Sequence, residues 1–359
     1  MSTDAYKQLA KHLDSLPNGF PPTEDGSDLR LLAKLFTPEE AEMAAQLRTS
    51  LETVDEIAAR TGMESSGLRK QLKEMAKRGL IEAGTGSKGL GFKSLPFIVG
   101  IYEMQIDRLD EELARLFEDY YHTGAARMLS VQPAFHRVVP VHEAVDTSVE
   151  VQPFESAAEI VYSMRSWAVQ DCICRKEKAL IGQACQRPID VCLMMHPQEQ
   201  AFHSSATVRV LTRDEAMGTL RRAAEAGLVH TVTNSEEGTY YICNCCTCCC
   251  GILRGMAEFG LANVVASSPF VNRVDEELCT GCEDCIAACP FEALSMDGAL
   301  ARVDRDLCVG CGVCNLRCAP DALVLIRRPP EEVKAIPHTF ADWKQQRLEA
   351  RGLQPTAAQ

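Results

Sequence analysis

The residues able to do chemistry in this chain are cysteines, eighteen of them in 359 residues. Eight fall in two runs of the form C-x2-C-x2-C-x3-C: Cys279, Cys282, Cys285 and Cys289, then Cys308, Cys311, Cys314 and Cys318. Six crowd into ICNCCTCCCG at 242–251, namely Cys243, Cys245, Cys246, Cys248, Cys249 and Cys250. The other four, Cys172, Cys174, Cys185 and Cys192, lie upstream of that stretch. In a reducing compartment such close spacing argues for metal ligation and against a disulfide framework. The compartment expected is the cytoplasm, because the first thirty residues hold no basic segment followed by an apolar one. The strongest apolar run, LPFIVGIY at 95–102, falls far short of a membrane span, so no membrane insertion is expected.

The two runs sit in an internal duplication: ELCTGCEDCIAACPFEAL at 277–294 and DLCVGCGVCNLRCAPDAL at 306–323, offset by 29 residues. A cubane of four irons and four sulfides needs four thiolates converging from different directions, and a tight loop supplies only three. These residues resemble the bacterial-type two-[4Fe-4S] ferredoxin domain, over about 270–330. In such proteins the fourth thiolate comes from the other repeat. The resemblance therefore implies one cluster on Cys279, Cys282, Cys285 and Cys318, and a second on Cys308, Cys311, Cys314 and Cys289. It also implies a duplicated β-α-β fold and one-electron transfer at low potential. Gly281 and Gly310, each just before a second ligand, let the backbone bend so that N–H groups aim at the sulfurs. A pair of zinc sites is the alternative that C-x2-C pairs allow, and two tandem four-cysteine runs weigh against it. One departure is visible: Cys289 is followed by Pro290, whereas Cys318 is followed by Ala319 and then Pro320. That shift is expected to alter the backbone near the first cluster without removing a ligand.

The elements that position these sites begin with a module at 29–95. Thr37-Pro38-Glu39-Glu40 is a capping box with proline at the first helical position, which opens a helix running through Leu47. TVDEIAARTG and ESSGLRKQLKEMAKRGL read as two amphipathic helices broken at Gly62, followed by a hairpin around GTGSKG at 84–89. That G-x-G-x-x-G string fails as a dinucleotide fingerprint because no helix follows it. Helix, helix, helix, hairpin resembles the winged helix-turn-helix of bacterial transcription regulators, with the helix around Leu68–Arg78 in the recognition position. From 64 to 93, seven Lys or Arg face three Glu, a local balance of +4 inside a chain of net charge −13. The sign suits DNA phosphates; a docking or dimerisation module with an ordinary solvated basic face is the equal alternative. An amphipathic helix is expected over about 98–121, for core or dimer packing, and an extended connection over 122–153.

In the central segment, 154–265, Thr212-Arg-Asp-Glu215 is a second capping box that launches a helix to about Ala226. GLVHTV and TYYIC form a hairpin whose second strand leads into the six-cysteine stretch. Strand alternation would put Cys243 and Cys245 on one face and Cys246 and Cys248 on the other. If GILRGMAEFG opens a helix after Cys250, its free N–H groups would face an anionic centre. One or two further iron–sulfur centres are expected here, the first drawing on Cys172, Cys174, Cys185 and Cys192 and the second on the Cys243–Cys250 group. The alternative is buried thiols or a zinc knuckle. Cys249-Cys250-Gly251 resembles the CCG motif of heterodisulfide-reductase-like proteins, with flanking spacing that departs from theirs. His196, His203 and His230 lie nearby, but a lone histidine is more often packed or solvated than ligating.

The expected fold class is α+β: a winged helix at 29–95, a helix and connection at 96–153, a cysteine-rich α/β domain at 154–265, a two-cluster ferredoxin domain at 268–330 and a tail at 331–359. As a whole the chain resembles bacterial 4Fe-4S ferredoxin-domain proteins that place a winged helix before a cysteine-rich segment. The function this implies is electron transfer with [4Fe-4S] cofactors, two in the ferredoxin domain and one or two in the centre. With no acid–base pair, nucleotide loop or flavin motif, the chain reads as a carrier or oxidoreductase subunit rather than a stand-alone enzyme. Its expected partners are a redox protein or oxidoreductase complex, with DNA and a second copy of the chain as further candidates. The alternative function is a redox-sensing, DNA-binding regulator.

Overall fold

The computed structural model describes residues 2–141, 144–145 and 150–354, as a mixed α+β protein. Parts of the expected connection (142–143 and 146–149) and of the expected tail (355–359) lie outside the described residues. The chain divides into two compact units: residues up to 132 with 180–182 and 344 onward, and residues 133–179 with 183–343.

In the first unit, Thr37 caps the helix Pro38–Ala44 through the expected reciprocal bonds with Glu40. A strand that sequence reasoning missed, β1 (Glu52–Thr53), precedes the helix Val54–Thr61, where Thr53 and Glu56 form another capping box. Gly62 ends that helix at φ 74°, a conformation glycine adopts without strain. The helix Ser65–Lys77 buries Leu68, Leu72 and Met75 and leads to the hairpin of β2 (Glu82–Gly86) and β3 (Gly89–Lys93). β1 pairs with β3, giving a three-stranded antiparallel sheet ordered β1-β3-β2.

The single helix expected over 98–121 is not what forms. Asp110 accepts from the Leu113 N–H at 2.8 Å and so starts the helix at Glu111, which runs to Tyr120. Upstream, Val99 sits in the left-handed region at φ 56° and breaks the helical path. The apolar periodicity still serves the core: Phe117 stacks on Tyr102 and Tyr120 on Phe20. The buried Arg347 donates to the carbonyls of Pro17, Met128 and Val131.

The second unit is built on a seven-stranded sheet. Its strands are β4 (His136–Val138), β5 (Ser166–Gln170), β6 (Cys192–His196), β7 (Val208–Leu211), β8 (Val229–Thr233), β9 (Tyr241–Cys245) and β10 (Val265–Ala266), ordered β10-β4-β8-β9-β6-β5-β7. Among the described residues of this sheet, β10 and β4 pair in parallel and the other neighbours pair antiparallel. β4 lies within the segment read as extended connection. Pro133 and Pro140, which lack the N–H a ladder needs, bracket it and keep it to three residues. The helix Arg213–Glu225, capped by Thr212 and Glu215 as the motif indicates, covers the sheet with Leu220 and Ala216. These meet Val169, Leu193, Val232 and Ile242 in the core.

Beyond the sheet come β11 (Phe270–Val274), β12 (Leu294–Asp297), β13 (Leu300–Val303) and β14 (Leu323–Arg327). β11 pairs antiparallel with β14, so the first strand of one repeat closes on the last strand of the other. β12 and β13 form the hairpin between them. The first repeat carries the helix Asp284–Ala288; in the second that helix is reduced to a 3-10 turn, Asn315–Arg317.

Candidate metal centres

The duplicated loops gather eight thiols into two sets. Cys279, Cys282, Cys285 and Cys318 line one small cavity. Cys289, Cys308, Cys311 and Cys314 line another. Three thiols of each set come from one loop and the fourth crosses from the other repeat. The crossing is enforced by the antiparallel β11–β14 pairing, which brings the end of each repeat beside the start of the other.

Local backbone structure repeats with the sequence. Asp275 and Asp304 each accept two N–H bonds from the residues just before the first cysteine, Glu277 and Leu278 in one loop and Asp306 and Leu307 in the other. Gly281 and Gly310 sit at φ 67° and 68°. A Cβ at Gly281 would lie 2.4 Å from the Ala299 carbonyl oxygen, and one at Gly310 only 2.2 Å from that of Phe270. Both positions therefore demand glycine for space as well as conformation. The proline shift after the fourth cysteine proves silent: Glu292 and Asp321 both take φ 54°, and the next amides donate to sulfur alike, Ala293 to Cys289 at 3.3 Å and Ala322 to Cys318 at 3.2 Å. One donor breaks the symmetry, for buried Asn272 places Nδ2 2.9 Å from the Cys314 Sγ. Its counterpart 29 residues on is Ala301, which has no donor. Burial pushes the Cys311 thiol up to about 12, a cost that cationic iron would remove by binding the thiolate.

The central cysteines group differently from their order along the chain. Cys185 does not join Cys172, Cys174 and Cys192, as expected from sequence; it meets Cys246, Cys248 and Cys249, with all four Sγ atoms within 4.8 Å of one another. Cys248 lies 3.6 Å from Cys185 and 3.7 Å from Cys249. Metal–sulfur bonds of ~2.3 Å in a tetrahedron give edges of about 3.8 Å, so this spacing suits one ion. The group packs on Val191, Ala223 and Leu228.

The other six thiols neighbour one another in turn: Cys172 beside Cys174, Cys174 beside Cys250, Cys250 beside Cys245, Cys245 beside Cys243 and Cys243 beside Cys192. The division follows from the pleat. Cys243 and Cys245 share one face of β9, the strand ends there, and a turn carries Cys246, Cys248 and Cys249 to the other side. The β6–β9 register, Leu193 opposite Ile242, sets Cys192 across from Cys243. Cys172 follows β5, which neighbours β6, and Cys174 lies in the first turn of the helix Ile173–Leu180.

Between the two groups lies Arg175, 3% exposed. Its Nη1 and Nη2 both donate to the Asn244 carbonyl at 3.1 Å, and Nη1 is 3.6 Å from the Cys246 Sγ. Arg187 adds contacts of 3.6 Å to Cys248 and 3.9 Å to Cys185. Hydrogen bonding from Cys249, aided by the Arg175 charge, draws Cys246 down to about 4. Hydrogen bonds from Cys243 and Cys250 draw Cys245 down to about 5. Sequence reasoning missed Arg175, Arg187 and Asn244; the only signal was two arginines each within two residues of an upstream cysteine. His230 bonds Asn244 Oδ1, His196 accepts from the Gln198 N–H and His203 is exposed, so none belongs to the four-thiol group.

A cleft of ≈ 1230 Å³ separates the central and ferredoxin parts of this unit. Arg187, Ala226 and Gly227 lie on one wall, and Asp284, Arg317 and Cys318 on the other.

The 4Fe-4S dicluster domain family matches residues 272–328. That stretch is a dicluster domain, which implies two [4Fe-4S] clusters and electron transfer. No curated protein and no solved structure matches the chain. Among the described residues, no helix is long and apolar enough to cross a membrane.

Proposed function

We propose that the protein is an iron–sulfur electron carrier that works with a redox partner or within an oxidoreductase complex. One [4Fe-4S] cluster is held by Cys279, Cys282, Cys285 and Cys318, and the other by Cys289, Cys308, Cys311 and Cys314. The observation that carries this reading is the pair of cavities, each ringed by four thiols drawn three-and-one from the two repeats. When bound, such clusters take up and release single electrons. The chain's own contribution is to hold the thiolates apart, to aim amides of Ala293 and Ala322 at sulfur, and to exclude water with Val274, Leu294 and Leu323. The group Cys185, Cys246, Cys248 and Cys249 holds a further metal centre. The shared cleft, with Arg187 of that centre on one wall and Cys318 on the other, is where electrons enter or leave. Anaerobic purification with metal and sulfide counted per chain tests the reading. About eight irons and eight sulfides must belong to the dicluster domain; colourless protein holding only zinc would end it.

A second reading is favoured by the amino-terminal unit. In this reading residues 29–95 act as a winged helix, for which the order helix, strand, helix, helix, hairpin and the β1-β3-β2 sheet speak. Not all of the basic excess is available to a partner. Arg78 pairs with Glu40, Lys88 with Glu56 and Lys93 with Glu82. Arg69, Lys70, Lys73 and Lys77 stand exposed on the helix Ser65–Lys77, which suits contact with DNA phosphates and a redox-sensing regulator. Binding to mixed genomic fragments, measured on oxidised and reduced holoprotein over a range of salt, separates this from a pure carrier: only a regulator binds in a redox-dependent way.

A further inference from the structure

Six of the central thiols stand outside every site assigned above. They are ranged at one end of the sheet, where β5 ends, β6 begins and β9 ends. Each neighbours the next, from Cys172 through Cys174, Cys250, Cys245 and Cys243 to Cys192, and the strand registers set Gln170 opposite Cys192 and Leu193 opposite Ile242. Cys245 and Cys250 are buried and the other four partly so. Polar groups surround them: the Gly251 and Leu253 amides lie near Cys174 and Cys250, and the Thr231 hydroxyl shares a hydrogen bond with the Cys245 thiol across 3.6 Å.

Arg175 is the second observation. A guanidinium 3% exposed, whose hydrogen bonds go to the Asn244 carbonyl and the Cys246 sulfur and whose buried Nε has no hydrogen-bond partner among the described residues, is costly unless anions surround it. The sulfurs facing it are those of Cys172 and Cys245 of this set and Cys246 of the four-thiol group. A permanent cation between two sets of thiols calls for thiolates on both sides, and thiolates in such numbers persist when metal holds them.

We propose that Cys172, Cys174, Cys192, Cys243, Cys245 and Cys250 form a second central metal site, separate from the four-thiol group, that takes a sulfide-bridged polynuclear iron centre. Spacing selects that class. An ion bound tetrahedrally by thiolates alone, single or thiolate-bridged, brings at least three sulfurs within about 3.8 Å of each other. Among the described residues only Cys185, Cys246, Cys248 and Cys249 meet such a condition, at 4.8 Å. The six thiols, like the two ferredoxin sets, do not; inorganic sulfide fills the middle of such a core and each thiolate meets its own iron. The class of metal rests on the iron–sulfur reading of the chain, while the grouping of the thiols does not.

The test uses the full chain purified without oxygen, with iron, acid-labile sulfide and zinc counted for the wild type, for Cys172→Ser/Cys243→Ser and for Cys185→Ser/Cys248→Ser. The first variant is expected to lose about four irons or more with matching sulfide and to keep about eight. The second is expected to keep the iron that the first one loses. Unchanged iron in the first variant overturns the proposal, as does a Mössbauer spectrum of the wild type that contains the dicluster irons alone. The wild-type spectrum decides the matter even if a variant misfolds. Loss of the dicluster irons themselves would instead sink the electron-carrier reading, and that signal is separate.

Discussion

The ferredoxin domain and the central domain carry similar numbers of cysteines and organise them by opposite rules. In the first, the ligand sets follow the chain: three thiols per tight loop, one from the other repeat, with glycine at φ 67° and 68° and matching amide donors. In the second, cysteines adjacent in sequence part company, Cys245 to one set and Cys246 to the other, while Cys185 and Cys248 meet across 63 residues. Spacing is a reliable guide when one loop wraps the metal, because the loop's own turns fix the directions of the sulfurs. It fails where strands carry the ligands, because the pleat and the sheet order then decide which thiols face each other.

That contrast can be broken most sharply at a ligand. Cys311→Ser should remove one dicluster centre, about four irons, and leave the central metal untouched; unchanged iron and an unchanged EPR spectrum would refute the ligand assignment. Arg175→Leu addresses the other region. Removing a buried charge from its counter-ions costs ~3–5 kcal/mol, so metal should leave the central sites while the reduced dicluster EPR signal stays. Simultaneous loss from both regions would show that they are not independent. Gly310→Ala probes the loop rule: a Cβ 2.2 Å from the Phe270 oxygen should cost ~1–3 kcal/mol and lower the melting temperature of the holoprotein. Gly182→Ala, with nothing within 4 Å but φ 82°, should cost less.

The two dicluster centres themselves should separate at Asn272→Leu. Its Nδ2 donor stabilises the more negative, reduced state of the cluster on Cys314, and a hydrogen bond of ~1 kcal/mol corresponds to tens of millivolts for one electron. A redox titration should show one potential falling and the other holding; a parallel shift of both would contradict the assignment. The smallest effect is expected in the other unit, where Lys73→Ala should reduce the salt slope of any DNA binding by ~1.

Much of the fold is legible locally. Capping boxes at Thr37 and Thr212, the break at Gly62 and the hairpin turn before Gly89 all stand in the structure, because each is closed by bonds between near neighbours in the chain. The long helix over 98–121 was misread because apolar spacing records what is buried, and residues of a bent path can be buried as well as those of a helix. The strand His136–Val138 carries no pattern of its own; it exists because β8 and β10 lie beside it.

What the sequence determined by itself was the chemistry: thiols in number, and eight of them in a duplicated spacing whose tight glycine turns can be read without any partner. What only the tertiary structure decided was which of the other ten thiols lie together, and that a buried arginine stands between the two groups. The reason is range. A turn is set by dihedral angles a few residues apart, whereas the meeting of Cys172, Cys192 and Cys243 depends on β5, β6 and β9 lying side by side, and no short stretch of chain records that order.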